Sequence, residues 1–139
     1  MFKIKATPEE MNAQVGDNMV SYLGIEVTAV GEDWIMARMP VVNRTKQPFG
    51  LLHGGASVAL AESVGSLAAN LCVDLNRFYC VGLEINANHL RAVTDGWVHA
   101  TARPLHLGRT TQVWDVRIHD DAGRLVCVSR LTMAVVERK

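Results

Sequence analysis

Residues 54–73 read GGASVALAESVGSLAANLCV, twenty positions with no proline and an apolar surface nearly all the way round. At a rise of about 1.5 Å per residue, such a run makes a helix of about 30 Å. A helix without a polar face has to be buried, so the rest of the chain is constrained to enclose it. A membrane span is the rival reading. Gly54 and Gly55 at the start, then Ser57, Ser63, Ser66, Asn70 and a mid-segment Glu62, all stand against it.

What encloses the helix reads as strand. Residues 25–30 and 34–41 are β-branched or apolar runs separated by Gly31-Glu32-Asp33, the pattern of a hairpin. Residues 81–90, 97–105, 110–120 and 124–136 are further strands, divided by Asp95-Gly96, Leu107-Gly108 and a turn ending at Gly123. Within residues 112–118, Val113, Asp115 and Arg117 alternate with Gln112, Trp114, Val116 and Ile118, which is the period of a half-buried strand. Connections this short imply antiparallel neighbours. Ahead of them, Thr7-Pro8-Glu9-Glu10 has the form of a capping box with proline in the first helical turn. The expected architecture is α+β. An antiparallel sheet of five or six strands wraps one long helix, with residues 1–139 as a single domain. Such a sheet covers only part of the helix and leaves edge strands, so a two-fold homodimer or a dimer of dimers is expected.

Composition narrows the function. With 14 Lys and Arg against 14 Asp and Glu, the chain has no net charge, which disfavours a general nucleic-acid binder and a polybasic membrane module. Three cysteines (Cys72, Cys80 and Cys127) without a CxxC pair suggest reduced thiols in the cytoplasm, and the N-terminus lacks a signal-peptide run. The five histidines are scattered and there is no HExxH, so no metal site is expected.

Between Lys46 and Asp74 the only formally charged residue is Glu62, in the middle of the buried helix. A carboxylate there must be paired, solvated in a cleft or protonated. An arginine from a neighbouring strand could cap it, or that helix face could be wet. Ser66 lies at i+4, on the same face, where it can orient the carboxylate or a water. Upstream, residues 48–55 form a Pro/Gly-punctuated loop running into the helix, whose first turn offers free N–H groups at Gly54 and Gly55. Without Cβ atoms there, a carbonyl oxygen can approach those donors as in an oxyanion hole; a turn that needs positive φ is the other reason for two glycines. The Gln47 amide can add a donor, and His53 sits at the helix entry. Glu62 lies about 12 Å along the helix from Gly54, too far for one carbonyl to reach both. This distance places the expected site between two subunits.

These residues carry a resemblance. QPFGLLHGG at 47–55, AES at 61–63 and Gly65-Ser66 resemble the hotdog-fold acyl-CoA thioesterases of the phenylacetate-degradation and 4-hydroxybenzoyl-CoA group. Within that group the likeness is strongest to the bacterial 1,4-dihydroxy-2-naphthoyl-CoA thioesterases of menaquinone synthesis, and the proofreading thioesterases of enterobactin synthesis are also similar. VGLEINANH at 81–89 and PLHLG at 104–108 extend it over essentially the whole chain. The resemblance implies Glu62 as nucleophile or general base and the Gly54 N–H as the group polarising the thioester carbonyl. Gln47 and His53 assist there, and Ser66 positions Glu62 or the water. It also implies coenzyme and pantetheine contacts at Gly82, at His89, Leu90, Arg91 and Ala92, and at His106, Leu107, Gly108, Arg109, Thr110 and Thr111. Arg91 and Arg109 are the candidates for phosphate, since arginine offers a planar fork of donors. No cofactor or metal is implied. The competing readings are a hydroxyacyl dehydratase or hydratase on the same fold, and a non-catalytic acyl-CoA binding module.

Overall fold

The computed structural model describes residues 1–139. Two short helices, α1 (Pro8–Ala13) and α2 (Met19–Tyr22), open the chain. The Thr7 Oγ1 accepts from the Glu10 N–H and the Thr7 N–H donates to Glu10 Oε1, both at 3.1 Å. Strands β1 (Glu26–Val30) and β2 (Ile35–Pro40) form a hairpin, and a 3-10 turn at Asn43–Thr45 leads towards α3 (Gly54–Leu71). Then come β3 (Phe78–His89), β4 (Trp97–Leu107), β5 (Thr111–Asp120) and β6 (Leu125–Glu137).

All six strands belong to one sheet in the order β1-β2-β4-β5-β6-β3, every neighbouring pair antiparallel. Helix α3 packs against β2, β3, β4, β5 and β6, so it lies across the inner face and carries the chain from one side of the sheet to the far edge. This is the hotdog arrangement, with six strands around one long helix. The alternation in β5 falls as its sequence dictates: Gln112, Trp114, Val116 and Ile118 are buried. Gln112 can be buried because its Oε1 accepts from Trp114 Nε1 at 2.9 Å, which satisfies both polar atoms.

The buried stripe of α3 consists mostly of small residues: Ala56, Ala61, Gly65, Ala68 and Ala69, with Leu60 and Val64 between them. Leu60 and Val64 are completely enclosed, each contributing about 1.5–3 kcal/mol of apolar burial. A Cβ on Gly65 would lie 2.5 Å from Leu131 Cδ2 on β6, so glycine sets how closely helix and sheet approach.

Two expectations need correction. The helix stops at Leu71 rather than Val73, because its last carbonyls are taken elsewhere: Leu71 O accepts from Lys3 and Ile4 N–H at 2.9 and 3.0 Å, and Ala69 O from Cys72 N–H. Nor is α3 buried all round. Glu62, Ser63, Ser66, Leu67 and Asn70 are only half-buried, since one sheet covers one side of a helix. No helix is long and apolar enough to cross a membrane.

The sheet ends on two different edges. β1 is short, but β3 runs twelve residues and is exposed at most positions, with Leu83 61% exposed. A long edge strand carrying bare apolar side chains is a template for pairing with another chain. An irregularity between Gly82 and Glu84 leaves Leu83 as an unpaired bulge residue.

Candidate active site

Glu62 projects from the half-covered face of α3, and no arginine, lysine or histidine forms an ion pair with it. The arginine clasp weighed as one reading is absent. The carboxylate lies instead on the bare backbone of β3: a Cβ on Gly82 would sit 2.3 Å from Glu62 Oε2. Beside it opens a cavity of about 440 Å³, lined by Gln14, Val15, Asn18, Val20, Ser63, Ser66 and Leu67 as well as Glu62. Ser66, one turn along, shares the cavity as the i+4 spacing requires.

The entry to α3 forms a second, separate cavity of about 400 Å³. Gln47, Leu51, Leu52, Gly54, Ser57, His89, Leu90, Arg91, Ala92 and Val126 line it, and Arg91 is its one formal charge. His53 caps the helix, its Nδ1 accepting from the Gly55 N–H at 2.7 Å. The Gly55 N–H is therefore spent, which corrects the expectation of two free donors. Gly54 N–H has no partner among the backbone bonds, while the Ala56 and Ser57 amides donate to His53 O at 3.0 and 3.2 Å. Because Nδ1 accepts, a neutral His53 carries its proton on Nε2. Neither glycine is there for positive φ; the glycines in that region are 16, 24, 50, 96 and 123. What Gly54 provides is space, as its Cβ would lie 3.0 Å from His89 Nε2. Gln47 is held by its oxygen, which accepts from the Phe49 and Leu51 N–H groups. Its amide NH₂ is left to donate.

Of the segments the resemblance linked to the coenzyme, His89 to Ala92 line this second cavity. Leu107, Gly108 and Arg109 line a third of about 390 Å³ with Lys3, Asp74 and Phe78, sharing no residue with the second. His106 folds back over the β4–β5 turn, its Nε2 2.6 Å from where a Gly108 Cβ would be. Thr111 O accepts from Gly108 N–H across the same turn, while Thr110 O accepts from Val135 N–H on β6. Gly82 lies under Glu62, away from both arginine-bearing segments. Arg103 is stacked over Trp34 at 5.5 Å and Arg117 bonds Asp115 at 3.3 Å, while Arg91 and Arg109 enter no ion pair.

Other reactive groups do not compete with Glu62. Burial pushes the Cys80 thiol up to about 11 and raises Cys72 and Cys127 as well, so all three stay protonated. No three His, Cys, Asp or Glu side chains are gathered to hold a metal ion. Reading the sequence alone missed Gln14, Val15, Asn18 and Val20 at the Glu62 cavity. Their only local signal is Asn18 as the cap of α2, which says nothing of what lies across from it.

A carboxylate without an ion-pair partner on the helix of a hotdog sheet, and an unused N–H at the helix entry, are groups of the kinds that thioester hydrolysis uses. Residues 49–127 match the family model of the thioesterase superfamily, more than half of the chain. The chain belongs to that superfamily and is a thioester hydrolase. It is similar to the 1,4-dihydroxy-2-naphthoyl-CoA hydrolase of Escherichia coli (strain K12), with 53% identity over 98% of this chain and 99% of that one. It is also similar to the proofreading thioesterase EntH of Cronobacter turicensis, at 49% identity over 98% of each. Among solved structures, a mutant thioesterase from Pseudomonas aeruginosa superposes with a TM-score of 0.96 at 52% identity, covering 99% of both chains.

Proposed function

We propose that this chain hydrolyses acyl-CoA thioesters with an aromatic acyl group of the 1,4-dihydroxy-2-naphthoyl kind, in a site completed by a second copy. The observation that carries the reading is Glu62: a carboxylate with no ion-pair partner, seated on Gly82 beside an open cavity.

The separation of the two cavities favours a shared site. Along β3, Gly82 meets Glu62 and His89 meets Gly54. An antiparallel pairing of two β3 edges about a two-fold near Ile85 and Asn86 sets Gly82 of one copy opposite the partner's His89. Glu62 then faces the partner's Gly54. The exposed Val81 and Leu83 on that edge support the same contact. A dimer of such dimers would enclose the outer face of the helices.

In this arrangement the thioester carbonyl oxygen takes the Gly54 N–H and the Gln47 amide as donors, at the positive end of the α3 dipole. Glu62 either removes a proton from the attacking water or attacks the carbonyl itself, and Ser66 orients it. The tetrahedral intermediate collapses with loss of the coenzyme thiolate, and His53 Nε2–H can donate to the departing sulfur. If Glu62 attacks, water then cleaves the mixed anhydride and restores the carboxylate. Arg91 and Arg109 are the free cations for the coenzyme phosphates.

The test is Glu62→Gln and Glu62→Ala with an aryl-CoA, a medium-chain acyl-CoA and an aryl-carrier-protein thioester. General acid–base loss predicts a fall in kcat of about 10²- to 10⁴-fold with the fold retained. Hydrolysis by Glu62→Ala at the parent rate would overturn the assignment. Preference for the carrier-protein thioester would move the substrate to the proofreading kind, and single turnover in ¹⁸O-water separates nucleophile from base.

A further inference from the structure

We infer that Asn70 is a positioning residue for the reaction, holding β3 against α3 so that Gly82 stays beneath the Glu62 carboxylate. The inference rests on the reading of Glu62 as the catalytic carboxylate. Asn70 lies two turns beyond Glu62, on the half-buried side of the helix. Its Oδ1 accepts from the Cys80 N–H at 2.8 Å. Its Nδ2 donates to Cys80 O at 3.3 Å and to Ser66 O at 2.9 Å. One side chain therefore holds both main-chain groups of a single strand residue and anchors itself on its own helix.

Those two groups have no strand partner. Cys80 pairs with Val135 on β6, but the Val135 N–H is directed the other way, to Thr110 O at 2.9 Å. This makes Cys80–Val135 a pair without mutual hydrogen bonds, with the Cys80 amide and carbonyl facing the open edge. Left alone they would be solvated, and the weak Cys80 Sγ–H to Ala69 O bond at 3.6 Å would be the one remaining hydrogen bond from Cys80 to the helix. Asn70 takes both.

Position matters because of what lies two residues on. At Gly82 the carboxylate occupies the space of a missing side chain, with Oε2 at 2.3 Å from the Cβ site. A slip of one residue would bring Val81 or Leu83 under Glu62, and either side chain would displace the carboxylate. The β6 ladder guards poorly against such a slip at this point, because the Leu83 bulge breaks the register immediately after Gly82. The Asn70 clamp secures the strand on the near side of the bulge.

The test compares Asn70→Ala, Asn70→Asp, Gly82→Ala and Glu62→Gln for kcat and KM on an aryl-CoA thioester, with thermal unfolding alongside. A carboxylate misplaced by about 1 Å costs up to about 10²-fold. Asn70→Ala should lower kcat by about 10- to 100-fold while KM changes about two-fold or less. Gly82→Ala should do the same with the clamp intact, which covers the case in which Asn70→Ala fails to fold. Asn70→Asp adds a readout that a purely structural role would not move. Only a protonated acid can both accept from Cys80 N–H and donate to Cys80 O, so its kcat relative to the parent should rise as pH falls. Parent-like kcat in Asn70→Ala or Gly82→Ala, with Glu62→Gln inactive, overturns the proposal alone. An active Glu62→Gln overturns the reading of the site and the proposal with it.

Discussion

Replacing Gly54 by proline deletes one N–H and puts the ring Cδ in the place of its hydrogen. Residue 54 is the first of α3, where an amide has no acceptor within the helix and proline is favoured. The residue before a proline must be extended, and His53 already is, at φ −70° and ψ 130°. A Cβ at this position meets only the His89 imidazole, 3.0 Å away at its nearest, and that imidazole can turn away. The fold should therefore survive, and what is lost is the donor assigned to the thioester oxygen. Removing one such donor costs about 10²- to 10³-fold in kcat, or about 2.7–4 kcal/mol of transition-state stabilisation. Gly54→Ala is the control, since it adds the same Cβ beside His89 but keeps the N–H. Thiol release from an aryl-CoA thioester, measured at saturation for both variants, gives the ratio that reports the loss of the donor position. The proline variant should turn over about 10²-fold or more slower than the alanine variant, with unfolding temperatures close to the parent. Equal kcat values for the two variants would refute the oxyanion role of Gly54.

Three further perturbations follow from the fold. Gly65→Ala gains about 1 kcal/mol of helix propensity but drives a methyl 2.5 Å from Leu131 Cδ2, an overpacking cost of about 1–3 kcal/mol. Thermal unfolding at fixed protomer concentration should show a net loss, largely relieved in combination with Leu131→Val; a more stable single variant would contradict the packing argument. Leu83→Glu places a charge at the centre of the β3 edge, so sedimentation should show dissociation and turnover should fall together with it. A fully active monomer would sink the shared-site geometry. Acid stability should depend on the β5–β6 turn. The Arg124 backbone N–H, with its guanidinium, holds the Asp120 carboxyl below its usual range; the His99 ring and the Trp97 N–H do the same for Asp121. Both carboxyls are more acidic folded than unfolded, so their stabilisation is complete above the unfolded value of about 3.9 and is lost as pH falls below it. Urea midpoints between pH 7 and pH 3 should fall less steeply for Asp120→Asn than for the parent.

Much of this molecule is written locally. The Thr7–Glu10 box, the period-two run through Trp114 and the Ala-rich stretch from Gly54 are each decided by neighbours in sequence, and each forms where its pattern lies. Glu62 stood out because one charge within a long apolar run is anomalous whatever surrounds it. The open face of α3, by contrast, depends on how far one sheet can curve around a cylinder. The spending of the Gly55 amide by His53 Nδ1 depends on a rotamer, and the separation of Arg91 from Arg109 depends on which ends of the strands the hairpins occupy.

The amino-acid order by itself determined one helix, its strands, their antiparallel sense and the residue with the unusual charge, because periodicity, caps and turns act over a few positions. Only the tertiary structure decided that β3 would travel to the far edge beside β6, that Gly82 would lie under Glu62, and that Asn70 would hold Cys80. Those contacts join residues that chain entropy keeps apart until the core closes, and no short-range pattern encodes which distant backbone a side chain will meet.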